Sequence, residues 1–199
     1  MSGCIAVINA GSSSIKCAVF EAGGDEKLLF KGQIEQIGVA PRMKISGPDG
    51  TVLAEQSWAA EGFDHHAGTR EILQTAIRLL DGKQVKAVGH RVVHGGTDFA
   101  APIRIDDKVI ATLRTLIPLA PLHQPHNLAP IEAIAEAAPH IPQVACFDTA
   151  FHQGQPPLAQ RLALPRKYSD EGVRRYGFHG LSYEFVASRL KDVVPELAA

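Results

Sequence analysis

Hydrophobic and polar positions along this chain first change period between Gln56 and Asp64. Before that point, short apolar runs at Cys4–Ile8, Ile15–Phe20 and Leu28–Glu35 are separated by Gly11–Ser14 and by Gly23-Gly24-Asp25. In the second run Ile15, Cys17 and Val19 alternate with Lys16, Ala18 and Phe20, the two-residue period of a strand. Strands joined by turns this short predict an antiparallel meander. Lys44–Ser46 and Thr51–Gln56 flank Gly47-Pro48-Asp49-Gly50, which predicts an added hairpin, an insertion near residues 41–60. After Asp64 the period becomes helical. Ala67, Ile72, Leu73, Ala76, Ile77 and Leu80 share a face, Asp64 is placed to cap the N-terminus, and Gly82 to stop the helix.

The second half alternates between the two kinds of element. Val85–Val93 is a near-continuous apolar run broken by Gly89 and His90, which predicts a strand covered on both faces. Asp106 or Asp107 is placed to cap a helix through Ile117, and Asn127 another through Ala138. Val144–Phe147 reads as a short buried strand ending at Asp148, and a last helix runs from about Leu181 to Val194, where Pro195 stops it. No internal repeat or low-complexity segment interrupts this order. The predicted class is α/β, a mixed sheet of order βββαβαβα with flanking helices. Ligands in such sheets collect beyond the C-terminal ends of strands. Three places meet that condition: Asn9, the segment His90–Gly96, and Asp148.

Composition narrows the function classes. The 199 residues are 45% hydrophobic and 21% charged with a net charge of −1, so there is no electrostatic case for nucleic acid or an anionic membrane. No apolar run approaches membrane-spanning length, and Met1–Cys4 opens without the basic-then-apolar pattern of a secretory leader. The three cysteines, Cys4, Cys17 and Cys146, all lie in apolar runs, and none forms a Cys-x-x-Cys pair. Buried free thiols suit a reducing compartment, and the expected location is the cytoplasm.

Four segments carry candidate chemistry. Asn9–Lys16 offers a tight glycine turn, the hydroxyls of Ser12, Ser13 and Ser14, and a lysine just beyond, a surface suited to phosphate oxygens. It is not a P-loop, which needs a second glycine before the lysine and a helix after it. By itself it reads first as a polar hairpin turn. Arg91 lies in an apolar run, where an arginine needs an anionic partner, either a ligand or a structural carboxylate. Asp148 directly follows a strand and can orient a cation, move a proton, or cap a turn. His179, bracketed by Gly177 and Gly180 ahead of the last helix, can donate to an anion or stand as a solvated loop residue. Nine histidines raise the question of zinc. Their spacings argue against it: His90 and His94 fall on a predicted strand, and Pro125 breaks His123-x-x-His126.

Asn9–Lys16 (NAGSSSIK), Gly89–Gly96 (GHRVVHGG), Ala120–His123 (APLH), Phe147–His152 (FDTAFH) and Arg175–Gly180 (RYGFHG) together resemble the acetate kinases, a short-chain carboxylate kinase family. Five matches in order span nearly the whole chain. The resemblance implies an acetate and sugar kinase/actin-like (ASKHA-type, RNase-H-like) domain. The implied reaction is reversible phosphoryl transfer from ATP to acetate, giving acetyl phosphate and ADP. It further implies Asn9 at Mg²⁺ (or Mn²⁺), with Lys16, Ser12 and Ser14 near the ATP phosphates. Arg91 is implied on the carboxylate or the phosphoryl group, and His179 on the equatorial oxygens of the transition state. Val93, Leu122 and Phe178 match the apolar pocket for the methyl group, His123 an auxiliary hydrogen bond, and Asp148 the catalytic aspartate. A carboxylate acceptor is already ionised near neutral pH, so Asp148 is expected to orient Arg91 or a metal-bound water rather than act as a base.

Two departures shape the expectation. Where the family often has Thr-Ser-His after the histidine-glycine pair, this chain has Leu181-Ser182-Tyr183, so nothing is carried from that threonine or second histidine. The family chain is also longer, and its second half supplies the adenosine pocket. Residues 1–199 therefore read as the N-terminal domain, without the C-terminal nucleotide-binding domain, of a parent expected to be a homodimer. The alternatives are a propionate or butyrate kinase, or a non-catalytic binding or assembly module of the same fold.

Overall fold

Alternation in the first half builds the meander it predicts. A computed structural model describes residues 3–24 and 27–197. Strands β1 (Gly3–Ala10), β2 (Ile15–Glu21), β3 (Leu28–Glu35), β4 (Arg42–Ser46) and β5 (Val52–Ser57) each pair antiparallel with the next. The third residue of the predicted Gly23-Gly24-Asp25 turn lies outside the described residues. Gly32 lies where β3 passes close against β4. A Cβ there would stand 2.8 Å from the Lys44 carbonyl oxygen, so a side chain would push the strands apart.

Helix α1 (His65–Leu80) follows, with the Asp64 side chain accepting from the Ala67 N–H at 2.8 Å. It leads to β6 (Gln84–Val92), the two-residue β7 (Ile103–Arg104), and α2 (Asp107–Thr115), capped by Asp106. Next come α3 (Gln124–Ala137), β8 (Gln143–Phe147), the short α4 (Pro157–Gln160) and α5 (Arg166–Asp170), and α6 (Gly180–Val193). The eight-stranded sheet has the order β5-β4-β3-β2-β1-β6-β8-β7. β1, β6 and β8 are neighbours and parallel, so their C-terminal ends at Ala10, Val92 and Phe147 share one edge.

One face of this sheet carries the core. α1 and α3 pack on each other and on the sheet, enclosing Ile8, Ile15, Val19, Ile34, Ile72 and Ile134. A second cluster around Val92, Leu113, Ile131 and Phe147 lies under α2 and α3. Burial at this scale, about 25 cal/mol per Å² of apolar surface, is what offsets the entropy of ordering the chain.

Four expectations need correcting. β6 is not covered on both faces: Val88, His90 and Val92 are buried, while Ala87, Gly89 and Arg91 are half-buried. Ile5 and Val7, paired in register with Ala87 and Gly89, are 41% and 40% exposed. The apolar run reported hydrophobicity without reporting which layer covers it. Helix α3 begins three residues before Asn127, with His123 as its N-cap residue. Pro125 falls in its first turn, where a missing N–H costs nothing, and Asn127 is a buried bridge rather than a cap. The Asp106-capped helix ends at Thr115, and the stretch to Leu119 continues as a tighter 3-10 turn. His94, expected on the strand with His90, lies beyond its end.

Candidate functional site

The shared edge of β1, β6 and β8 brings together residues far apart in sequence. Arg91, on β6, donates from Nε to both Asp148 carboxylate oxygens at 3.1 Å and from Nη2 to Oδ2 at 2.5 Å. Its Nη1 donates to Asn9 Oδ1, on β1, at 3.2 Å. The Asp148 side chain is 2% exposed and that of Arg91 32%. A buried carboxylate in this geometry has a strong reason to stay paired, and it fixes the guanidinium while leaving part of it open.

Three buried side chains brace that edge. Asn127 Nδ2 donates to the Ala10 carbonyl at 2.6 Å, and its Oδ1 accepts from the Val93 N–H at 2.8 Å, tying β1 to the segment after β6. Thr149 Oγ1 accepts from the Gly95 N–H at 2.9 Å. His94 Nδ1 accepts from the Gly96 N–H at 2.9 Å, and its ring meets Tyr176 edge-on at 4.5 Å. Burial holds His94 below the ordinary histidine range, which keeps Nδ1 free to accept. Sequence reading missed all three roles; a polar residue beside a strand-end motif is the only signal that pointed to them.

Arg91 and Asp148 open into a cleft of about 590 Å³. Val93, Leu119, Leu122 and Phe178 supply apolar wall, and Ala10, Gly11, His123 and His179 complete the rim. His179 Nδ1 lies 4.0 Å from Asp148 Oδ2. Its backbone is left-handed, with φ of 59°, and its side chain is 73% exposed. The next residue, Gly180, donates its N–H to the Asp148 carbonyl at 2.8 Å. A Cβ on Gly180 would stand 2.3 Å from that oxygen, so the approach requires glycine. The structure thus gathers Asn9, Arg91, Asp148, His179, Val93, Leu122, Phe178 and His123 at one place.

Lys16, Ser12 and Ser14 are placed differently. Strand alternation turns Lys16 away from the core, into a separate groove of about 460 Å³ shared with Lys31, Gln33, Lys44 and Ser46. Asn9 borders that groove and also bonds Arg91, so it stands between the two cavities. Ser12 is exposed and Ser14 half-buried at the hairpin tip, outside the cleft lining. The hairpin closes on itself through a Gly11 N–H to Ser14 carbonyl bond of 2.8 Å. Behind it, His65 Nε2 donates to the Gly11 carbonyl at 2.7 Å, and the His65 ring packs on His126 at 4.4 Å. Desolvation, then the neighbouring His65 and His123, push His126 below the usual histidine range.

The donor set limits what metal can sit here. Both oxygens of Asp148 and one lone pair of Asn9 Oδ1 are taken by Arg91. Among the described residues no three His, Cys, Asp or Glu side chains converge as a metal site. Mg²⁺ keeps several waters and takes phosphate oxygens alongside one or two protein ligands. The second lone pair of Asn9 Oδ1 fits an ion carried in on phosphate, and does not fit a self-sufficient protein cage.

Known proteins resemble this chain over most of its length. The model of the acetokinase family matches residues 4–198. An acetate kinase of Nitrobacter hamburgensis is 48% identical over 98% of this chain and 48% of its own length. One from Rhizobium meliloti is 47% identical, over 96% of this chain and 49% of its own. Among solved structures, Porphyromonas gingivalis acetate kinase superposes with a TM-score of 0.80 at 36% identity, over 97% of this chain and 49% of that one. A propionate kinase from Francisella tularensis superposes at 0.83 and 28% identity, over 97% and 49%. The chain spans about half the length of the curated relatives it matches. Among the described residues no helix is long and apolar enough to cross a membrane. By the family model and by identity to these relatives, the chain belongs to the acetokinase family.

Proposed function

We propose that this chain is the N-terminal, ASKHA-type domain of an acetate kinase and supplies the carboxylate side of its site. The observation that carries the reading is Arg91, fixed by the buried Asp148 at the mouth of a cleft with apolar walls. A short carboxylate matches that layout: its charge meets the guanidinium and its alkyl end meets Val93, Leu122 and Phe178.

Both reactants are anions, so catalysis rests on neutralising charge and on placement. Arg91 binds the acceptor carboxylate or the phosphoryl group in transfer. Asp148 orients Arg91, and no base is needed because the acceptor is already ionised. His179 donates to the equatorial oxygens of the phosphoryl group, with an auxiliary bond from His123. Lys16, Ser12 and Ser14 would face the phosphates of ATP, and Asn9 would help hold Mg²⁺ or Mn²⁺, which would supply further charge neutralisation. The adenosine pocket belongs to a C-terminal nucleotide-binding domain outside this chain, in a parent that dimerises and works in the cytoplasm. The hairpin near residues 41–60 is an insertion into this domain.

A propionate acceptor is the second reading, favoured by the Francisella neighbour. One methylene is worth only about 1–3 kcal/mol in such a pocket, so the same walls serve either acid. Calorimetry with acetate and inorganic phosphate tests the site. Arg91→Ala is expected to weaken acetate binding at least tenfold, about 1.4 kcal/mol, and unchanged affinity overturns the reading. In a coupled assay the 199-residue chain alone is expected to show no turnover; parent-like rates would remove the need for a second domain.

A further inference from the structure

We propose that His152 is a positioning residue for His179: it holds the strap Val173–His179 by a hydrogen bond to the Phe178 carbonyl. The proposal rests on the reading of the cleft as a phosphoryl-transfer site. The strap has no regular secondary structure of its own. His179 is mostly exposed and sits in a left-handed backbone, so its own packing does not hold it. Its place is set by a few attachments. Arg175 N–H donates to the Gln160 carbonyl at 2.8 Å at one end, and Gly180 N–H to the Asp148 carbonyl at 2.8 Å at the other. Between them, His152 Nε2 lies 3.0 Å from the Phe178 carbonyl oxygen, one residue from His179.

A carbonyl only accepts, so Nε2 carries the proton, in the neutral ring as in the imidazolium. The ring is also a wedge. A Cβ on Gly177 would fall 2.3 Å from His152 Cγ, so the strap lies directly on the imidazole. Phe151 and Tyr183 of α6 meet the ring edge-on at 5.3 and 5.5 Å. His152 does not line the cleft; it reaches His179 only through Phe178.

The consequence lies in where His152 stands. It ends the 3-10 turn Ala150–His152, which begins just after Asp148. The five residues Asp148–His152 fix Arg91 through the Asp148 carboxylate and His179 through the Asp148 carbonyl and the His152 ring. The spacing between the Arg91 and His179 donors is therefore set by a single short piece of backbone.

The test uses the 199-residue chain, amide hydrogen exchange, and NMR titration with inorganic phosphate and with acetate. His152→Phe keeps the wedge and loses the donor; His152→Gln keeps a donor at a similar reach and loses the ring. His152→Phe is expected to speed exchange of the Gly180 amide about tenfold and to weaken phosphate binding by a similar factor, with acetate affinity within twofold of the parent. His152→Gln is expected to restore both. If His152→Phe behaves as the parent chain while His152→Gln does not, the residue is packing only and the proposal fails. Should His152→Phe not fold, Gly177→Ala displaces the strap with His152 intact; unchanged Gly180 exchange and phosphate affinity there overturn the idea equally. Arg91→Ala separates the two readings. If it leaves both ligands bound, the cleft reading falls; if it weakens acetate while His152→Phe changes nothing, only the role of His152 falls.

Discussion

The hairpin after β1 and the turn after β8 end neighbouring parts of one sheet edge, yet they are built in opposite ways. The hairpin Asn9–Lys16 is held mainly through its backbone: the Gly11 N–H bonds the Ser14 carbonyl, and the Ala10, Gly11 and Ser13 carbonyls accept from Asn127, His65 and the Ile37 N–H, while Ser12 and Ser13 stand exposed. The turn Asp148–His152 spends its polar groups on other elements. Asp148 holds Arg91, Thr149 holds Gly95, and His152 holds the strap ahead of α6. A loop held by its backbone tolerates changes to its side chains. A loop whose side chains hold other elements does not.

That contrast can be broken by measurement. Asp148→Ala is expected to have the largest effect, because it strands a partly buried guanidinium. Breaking a buried pair costs about 3–5 kcal/mol, and the exposed third of Arg91 reduces this to about 2–4 kcal/mol by urea denaturation. A loss no greater than that of a surface serine would erase the distinction between the two loops.

His90 sharpens it from within β6. Burial pushes its pKa down from 6.5 to about 4, the Gln143 side chain opposing the shift only in part. Its Nε2 donates to Gln143 at 2.7 Å, and Nδ1 has no partner among the described residues, as suits a neutral ring. The folded value lies below the unfolded one, so this contribution is complete above pH 6.5 and is lost as pH falls toward 4. The expected slope approaches about 1.4 kcal/mol per pH unit in that window, measured by denaturation against pH. His90→Gln is expected to flatten it; an unchanged slope would assign the acid sensitivity to other groups.

Ser12→Ala gives the smallest expected effect, within about 0.5 kcal/mol, since its side chain stands exposed at the hairpin tip. A thermal melt showing a larger loss would mean that the Ser12 side chain also braces the hairpin.

Much of the fold was legible because period reports burial. The alternation of Ile15, Cys17 and Val19 with Lys16 and Ala18 fixed the strand and also the direction of Lys16, away from the helices. The start of α3 was not legible, because a buried asparagine and a capping asparagine look alike until their partners are known. Asn127 finds them at Ala10 and Val93, which only the tertiary fold brings near. The strand-end rule located Asn9, Arg91 and Asp148 singly, and the family resemblance added the expectation that Asp148 orients Arg91 or a metal-bound water. That Arg91 and Asp148 pair, 57 residues apart, follows from β6 and β8 lying side by side. His152 was visible only as the last letter of a motif, since its partner is a carbonyl that no side-chain pattern reveals.

The mixed pairing of the sheet also sets an order of assembly. Each strand from β1 to β5 finds its partner one short turn away, and such local contacts form early in folding. β6 and β8 must instead return across whole helices to lie parallel, closing loops whose entropy is spent before any contact rewards it. Arg91 and Asp148 belong to those late strands, and His179 to a strap that needs β8 already in place. The meander can stand as a nucleus while the cleft does not yet exist, so the chemistry of this domain is the last thing its folding makes.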